Sequence, residues 1–306
     1  MKILLTGASG QLGQELLPLL TQFGSVTSVD RSLASPRSPN DLKIDLSDLN
    51  RVEILLNRQR PDLVVNAAAY TAVDKAESES GPAFRVNADL PGCIARWVER
   101  NDRLLFHYST DYVFDGRSDQ PYKESDETSP INVYGESKLA GEWAIAHSKC
   151  RSVILRTSWV YSAHGNNFVL SMLRLARERP ELSIVSDQTG CPTWARNLAG
   201  VSVEVISQLA KYKTDSKNDG LYHYCDGTIS SWYEFAGSIF KIASDQGLLE
   251  EMPQLVPLTS SQYPQIAERP VFSVLDTTAI RKTFGVKAMG LNESLADCLQ
   301  EIKYDE

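Results

Sequence analysis

Short apolar runs alternate along this chain with longer stretches in which apolar residues return every three to four positions. Residues 2–6 (Lys-Ile-Leu-Leu-Thr) form a run suited to a buried strand. A helical pattern follows through Glu15-Leu16-Leu17-Pro18-Leu19-Leu20, with Pro18 read into the first turn, where proline is tolerated. Further strands are predicted at 25–29, 42–46, 62–69, 104–110 and 153–156. Helices are predicted at 48–60, at 73–100 with breaks at Gly81-Pro82 and Pro91-Gly92, and around Tyr134. The stretch 32–40, with Pro36 and Pro39, reads as a loop. This alternation predicts an α/β fold, a doubly wound parallel sheet of Rossmann type with helices on both faces.

Beyond about residue 160 the rhythm changes. A helix over 169–179, strand and loop over 182–191, a helix over 192–209 and a strand over 221–225 are predicted. A helix over 232–246, a looser stretch with Pro253, Pro257, Pro264 and Pro270, and a closing helix over 291–302 follow. The expected organisation is a first domain over 1–160 and a smaller C-terminal α/β substrate domain over 161–306. Segments near 182–225 return to the first domain.

The polar residues gather where such a sheet binds ligands, outside the carboxyl ends of its strands. Thr6-Gly7-Ala8-Ser9-Gly10-Gln11-Leu12-Gly13 joins the first strand to the first helix. Gly7, Gly10 and Gly13 let the backbone turn tightly and approach a pyrophosphate at the helix N-terminus. The spacing is Gly-x-x-Gly-x-x-Gly rather than Gly-x-Gly-x-x-Gly. Asp30 closes the second strand, about 20 positions on, where an acid meets an adenosine ribose. Arg31 beside it could face a 2′-phosphate instead, so NADH and NADPH both stay open. Asp45 and Leu46 end the third strand near the adenine position, and 62–69 closes on small residues that leave room for a cofactor. Ser109-Thr110-Asp111-Tyr112 and Trp159 end later strands. Tyr134 and Lys138 stand four apart, hence on one helix face. A neighbouring ammonium favours a phenolate, which suits a tyrosine to exchange a proton with a carbonyl oxygen.

Composition narrows the classes. The chain has 306 residues, 42% hydrophobic, with a formal net charge of −8. That charge argues against general nucleic-acid or anionic-membrane binding. No apolar run approaches the ~18 residues of a membrane span. The start does not read as a signal peptide, and five scattered cysteines without Cys-x-x-Cys spacing point to a reducing cytoplasm. The four histidines form no metal-ligand spacing, so no zinc site is expected.

With Thr-Gly-x-x-Gly-x-x-Gly at the start and Tyr134-x-x-x-Lys138 in the middle, the chain resembles the extended short-chain dehydrogenase/reductases. The stretches Tyr-Ser-Thr-Asp-Tyr-Val-Phe-Asp-Gly (108–116) and Arg-Thr-Ser-Trp-Val-Tyr (156–161) are more specific and resemble a branch acting on deoxysugar nucleotides. The resemblance implies reduction of dTDP-4-dehydro-L-rhamnose by hydride from NADPH or NADH. It implies that Tyr134 delivers the proton to O4, that Lys138 bonds the nicotinamide ribose and lowers the Tyr134 pKa, and that Thr110 bonds the reacting oxygen. Asp111 and Trp159 would contact the substrate. Gly10, Gln11, Leu12, Asp30, Asp45, Leu46, Ala69, Tyr70, Thr71 and Tyr108 match positions lining the cofactor. Some members of the family form a homodimer bridged by Mg²⁺ on acidic residues, and Glu15 matches one such position. Arg196 stands where a second carboxylate is wanted, and an Arg does not ligate Mg²⁺, so a monomer or a differently built dimer is expected. Two other readings compete: an epimerase or 4,6-dehydratase of the same superfamily, and a non-catalytic regulatory subunit of this fold. Tyr112 stands where the dehydratases have Glu, which favours simple reduction.

Overall fold

The computed structural model describes residues 1–32, 40–211 and 216–302; positions 33–39 of the expected 32–40 loop lie outside them. The first half runs β1 (Lys2–Thr6), α1 (Gln11–Leu20), β2 (Ser25–Asp30), β3 (Asp41–Lys43), α2 (Leu49–Gln59) and β4 (Leu63–Asn66). It continues with α3 (Val73–Ala76), α4 (Ser80–Phe84), a π-helical turn (Arg85–Asp89), α5 (Leu90–Arg100), β5 (Leu104–Thr110), α6 (Val133–Ser148) and β6 (Arg151–Thr157). After these come β7 (Val160–Tyr161), α7 (Phe168–Glu178), β8 (Glu181–Val185), β9 (Thr189–Gly190), β10 (Thr193–Trp194) and α8 (Ala195–Lys211). The last described elements are β11 (Gly220–His223), β12 (Ser230–Ser231), α9 (Trp232–Asp245), β13 (Gln254–Leu258), α10 (Thr278–Phe284) and α11 (Leu291–Gln300).

Seven parallel strands form the central sheet in the order β11-β6-β5-β4-β1-β2-β3. The chain order reverses at β1, which pairs with both β2 and β4, so the crevice outside their carboxyl ends is the topological switch point. One face of the sheet packs on α1 and α8 through Leu16, Leu20, Leu198 and Val205. The other packs on α2 and α5 through Val52, Leu56, Ile94 and Trp97. The inner strands β1, β4, β5 and β6 are buried over most of their length, as a sheet covered on both faces requires. A separate apolar core forms from α7, α9, α11 and β8, around Met172, Phe235, Ile239 and Leu295.

Several elements depart from expectation. Pro18 lies in the last turn of α1, not the first. Its missing N–H costs one helical bond, and Leu16 and Leu20, both buried, hold the helix against the sheet regardless. β3 stops at Lys43, because Asp45 turns its carboxylate back onto the backbone N–H and hydroxyl of Ser47. Pro91 does not break the helix: the widened π turn before it makes room for the proline ring. Gln254–Leu258, expected to be loose, is a strand parallel to β8, with Pro257 tolerated in a two-stranded edge.

Candidate active site

The turn after β1 is built for close approach. Gly7 has φ +70°, and a Cβ there would lie 2.6 Å from the Ala68 nitrogen. A Cβ on Gly13 would lie 2.1 Å from the Gly7 carbonyl oxygen. Gly10 caps α1 without a side chain, so the first-turn N–H groups keep free donors beside a positive helix end. Asp30 accepts from the Ser9 N–H (3.2 Å) and the Ser32 N–H (2.8 Å), which ties the end of β2 to the turn. Arg31 is exposed, and its charge acts on both Asp45 and Tyr70, so these three positions share one end of the crevice. Asp45 is held below the usual carboxylate range, first by the Ser47 backbone N–H. Ala69 and Thr71 are exposed, while Leu46 is buried among core residues. Gln11 and Leu12 open α1, and the Gln11 side-chain amide donates to the Asn166 carbonyl (3.4 Å). The open N–H groups, the missing Cβ atoms and an acid at the end of β2 fit a dinucleotide, pyrophosphate at the turn and ribose at Asp30.

Helix α6 carries Tyr134 and Lys138. Asn132 caps it by accepting from the Gly135 N–H (2.8 Å). Two glycines let it lie close to its neighbours: a Cβ on Gly135 would fall 2.2 Å from the Tyr112 carbonyl oxygen, and one on Gly141 2.1 Å from that of Asn87. Asn87, in the π turn, donates to the Ser137 hydroxyl (2.9 Å) and to the Tyr70 carbonyl (3.0 Å) and accepts from the Tyr70 N–H (2.8 Å). It thus joins the Tyr70 loop to α6.

Thr110 lies near enough to Tyr134 to act on its phenol, and the Tyr112 ring meets Tyr134 edge-on at 5.5 Å. The Thr110 hydroxyl donates to Asp111 Oδ1 (3.0 Å) and accepts from the Tyr112 N–H (3.2 Å). Burial pushes the Asp111 carboxyl up to about 6. Lys138 is buried and donates to the Tyr108 carbonyl (2.6 Å). Tyr108 reaches the site through that carbonyl; its ring lies in the core beside Phe106. The expected lowering of the Tyr134 pKa by Lys138 is absent from the protein itself. Burial drives Tyr134 up to about 12, and the charge that adds to this is Asp111. Burial also pulls Lys138 down to about 8, against the attraction of Glu142. Both groups therefore lean towards their neutral forms.

Three features of the site have no place in the sequence reading. Glu142 continues the Tyr134–Lys138 face by one more turn and is buried. It accepts from Arg156 Nε (2.9 Å) and Nη2 (2.6 Å) and from the Ser109 hydroxyl (2.5 Å). Repeating the four-residue step from Lys138 would have found it. Asn87 carries no motif that points to it. Trp232 stacks on Trp159 at 3.5 Å and 7°, a long-range meeting that no local pattern announces.

Glu15 is buried and accepts from Arg196 Nε (2.9 Å), and Arg196 also pairs with Glu301. The positive charge at this carboxylate comes from the chain itself, so Glu15 does not fit a Mg²⁺ site. Among the described residues no three His, Cys, Asp or Glu side chains gather to hold a metal.

A parallel sheet in this order, with a Tyr-x-x-x-Lys helix against the end of β5 and a glycine turn after β1, defines an extended short-chain dehydrogenase/reductase. Within that class the chain belongs to the family described as RmlD substrate binding domain, whose model matches residues 1–304. It is 40% identical to the dTDP-4-dehydrorhamnose reductase of Burkholderia thailandensis over 310 aligned positions, covering 99% of each chain. Its fold is similar to that of a dTDP-4-dehydrorhamnose reductase from Clostridium acetobutylicum (TM-score 0.86, 34% identity, 98% of this chain and 99% of that one). It is also similar to one from Bacillus anthracis in complex with NADP (TM-score 0.84, 32% identity, 98% and 99%).

Proposed function

We propose that this protein is a dTDP-4-dehydrorhamnose reductase, converting dTDP-4-dehydro-L-rhamnose to dTDP-L-rhamnose with NADPH or NADH. The observation that carries the reading is Tyr134 set beside Thr110, with Lys138 buried one helical turn further on. When bound, the nicotinamide cofactor supplies the hydride that C4 of the sugar receives. Tyr134 then gives its proton to O4, which becomes the hydroxyl of the product. Thr110 holds that oxygen by turning towards it the hydroxyl proton that Asp111 Oδ1 accepts in the free protein. Lys138 keeps donors for the nicotinamide ribose beyond the one that Tyr108 accepts. Gly7, Gly10, Gln11, Leu12 and Gly13 receive the pyrophosphate. Asp30, Arg31, Asp45, Leu46, Ala69, Tyr70 and Thr71 receive the adenosine half. Trp159 contacts the sugar.

Residues 1–160 form the cofactor-binding domain and most of 161–306 the substrate-binding domain, with 182–225 contributing partly to the first. No helix among the described residues is long and apolar enough to cross a membrane, and a cytoplasmic enzyme is the reading that fits. Glu15 and Arg196, already paired, favour a monomer or a dimer without a metal bridge. The test is oxidation of NADPH and of NADH with dTDP-4-dehydro-L-rhamnose. Stoichiometric consumption and dTDP-L-rhamnose are expected. An epimerase or dehydratase would return its cofactor unchanged. Protein that binds NADPH but never oxidises it with this sugar nucleotide would overturn the reading.

A further inference from the structure

Among the described residues, four that are not glycine have positive φ: Arg60, Asp102, Lys149 and Trp159. Arg60 and Lys149 cap the C-termini of α2 and α6, and Asp102 follows the end of α5 closely. Left-handed residues are ordinary at helix ends. Trp159, at φ +46°, lies between β6 and β7, where no helix ends. A bulky side chain in that conformation persists only where its surroundings hold it.

Three contacts hold it. One face of the Trp159 indole lies against Trp232, the first residue of α9, at 3.5 Å and 7°. Gly190 passes so close that a Cβ there would fall 2.5 Å from Trp159 Cε2. The Trp159 carbonyl accepts from the Thr193 N–H (3.2 Å). Gly190 and Trp232 are themselves tied together, since β9 pairs with β12 and the Ser231–Glu234 capping box starts α9. Trp159 nevertheless stays partly exposed. It lies two residues beyond Thr157, the register partner of Thr110. A packing aromatic needs neither a left-handed backbone nor an open face at the carboxyl edge of the sheet.

We propose that Gly190 and Trp232 are positioning residues that fix Trp159 as the aromatic wall against which the sugar of the substrate lies. This rests on the reductase reading and on the contact of Trp159 with the sugar. The test is steady-state kinetics with dTDP-4-dehydro-L-rhamnose, with NADPH affinity measured separately by fluorescence. Trp232→Leu should raise KM for the sugar nucleotide about tenfold or more, because a displacement of ~1 Å away from the chemistry can cost up to ~100-fold. NADPH affinity should stay unchanged, and Trp232→Phe, which keeps a ring for stacking, should recover most of the loss. A general loss of structure would move both affinities together. Should Trp232→Leu fail to fold, Gly190→Ala leaves α9 intact and carries the same expectation. Active wild-type protein with an unchanged KM in the soluble variants overturns the wall. Wild-type protein that does not oxidise NADPH with this sugar overturns the reductase reading instead.

Discussion

Tyr134 and Lys138 lean in opposite directions at one helical turn's distance: each is pushed by burial towards its uncharged state, one as an acid and one as a base. A tyrosine held up to about 12 is protonated throughout the working range, which suits a donor to O4. Tyr134→Phe should lower kcat by ~10²–10⁴-fold with NADPH affinity nearly intact, measured by turnover and by cofactor titration. Lys138 is held down at about 8 against 10.5 in the unfolded chain. Below about 8 both states carry the proton and the cost of burying the charge is fully present. Between the two values the unfolded chain holds more protons, so this group adds stability as pH rises. Lys138→Met should therefore be more stable than wild type at pH 7, by roughly 1–3 kcal/mol at ~1.4 kcal/mol per pKa unit, less what the Tyr108 hydrogen bond contributed. The gain should shrink above pH ~8, and activity should be lost. Thermal melts across pH check this. At this scale the sequence was informative where a spacing encodes geometry, as for Tyr134, Lys138 and the glycine turn. It was silent where partners meet across the fold: Trp232 lies 73 positions from the Trp159 it stacks on.

The elements show why these side chains stay in place. α6 is fastened to the sheet by Glu142, which Arg156 of β6 and Ser109 of β5 grip together; those two residues are register partners. Removing one charge of a buried pair strands the other, so Glu142→Gln should cost about 3–5 kcal/mol in urea denaturation. Neutralising both, with Glu142→Gln and Arg156→Met, should recover much of that loss. The turn before α1 has no slack either. Gly13→Ala would drive a methyl into the Gly7 carbonyl, so NADPH affinity should fall tenfold or more, roughly 1.4 kcal/mol, in a binding titration. Most helices were readable because their apolar faces repeat at helical spacing. The exceptions were prolines. Pro18 and Pro91 both sit inside helices that tertiary packing or a π turn sustains, and neither compensation is written in the local sequence.

Across the whole molecule the last sheet strand, β11, and the helix α8 that covers α1 both come from beyond residue 190. A fragment of residues 1–160 would expose β6 as an edge and leave Leu16, Leu20 and Val26 without Leu198 and Val205. Such a fragment should be aggregation-prone and lack the near-UV circular dichroism of the full chain. The alternating rhythm made the parallel sheet legible. The pairing of β13 with β8 was not, because a short strand containing a proline and flanked by loop has no periodicity of its own.

The position of β11 also puts a clock on the protein's birth. β6 is complete at Thr157, but its partner begins only at Gly220. At about 5–20 residues per second, synthesis leaves the outer edge of β6, the one not paired with β5, open for roughly 3–13 s. For that interval the nascent chain carries an apolar edge, Val-Ile-Leu, open to any other strand it meets. Slower translation of the intervening segment would lengthen that exposure, so yield in the cell should follow elongation speed as well as final stability.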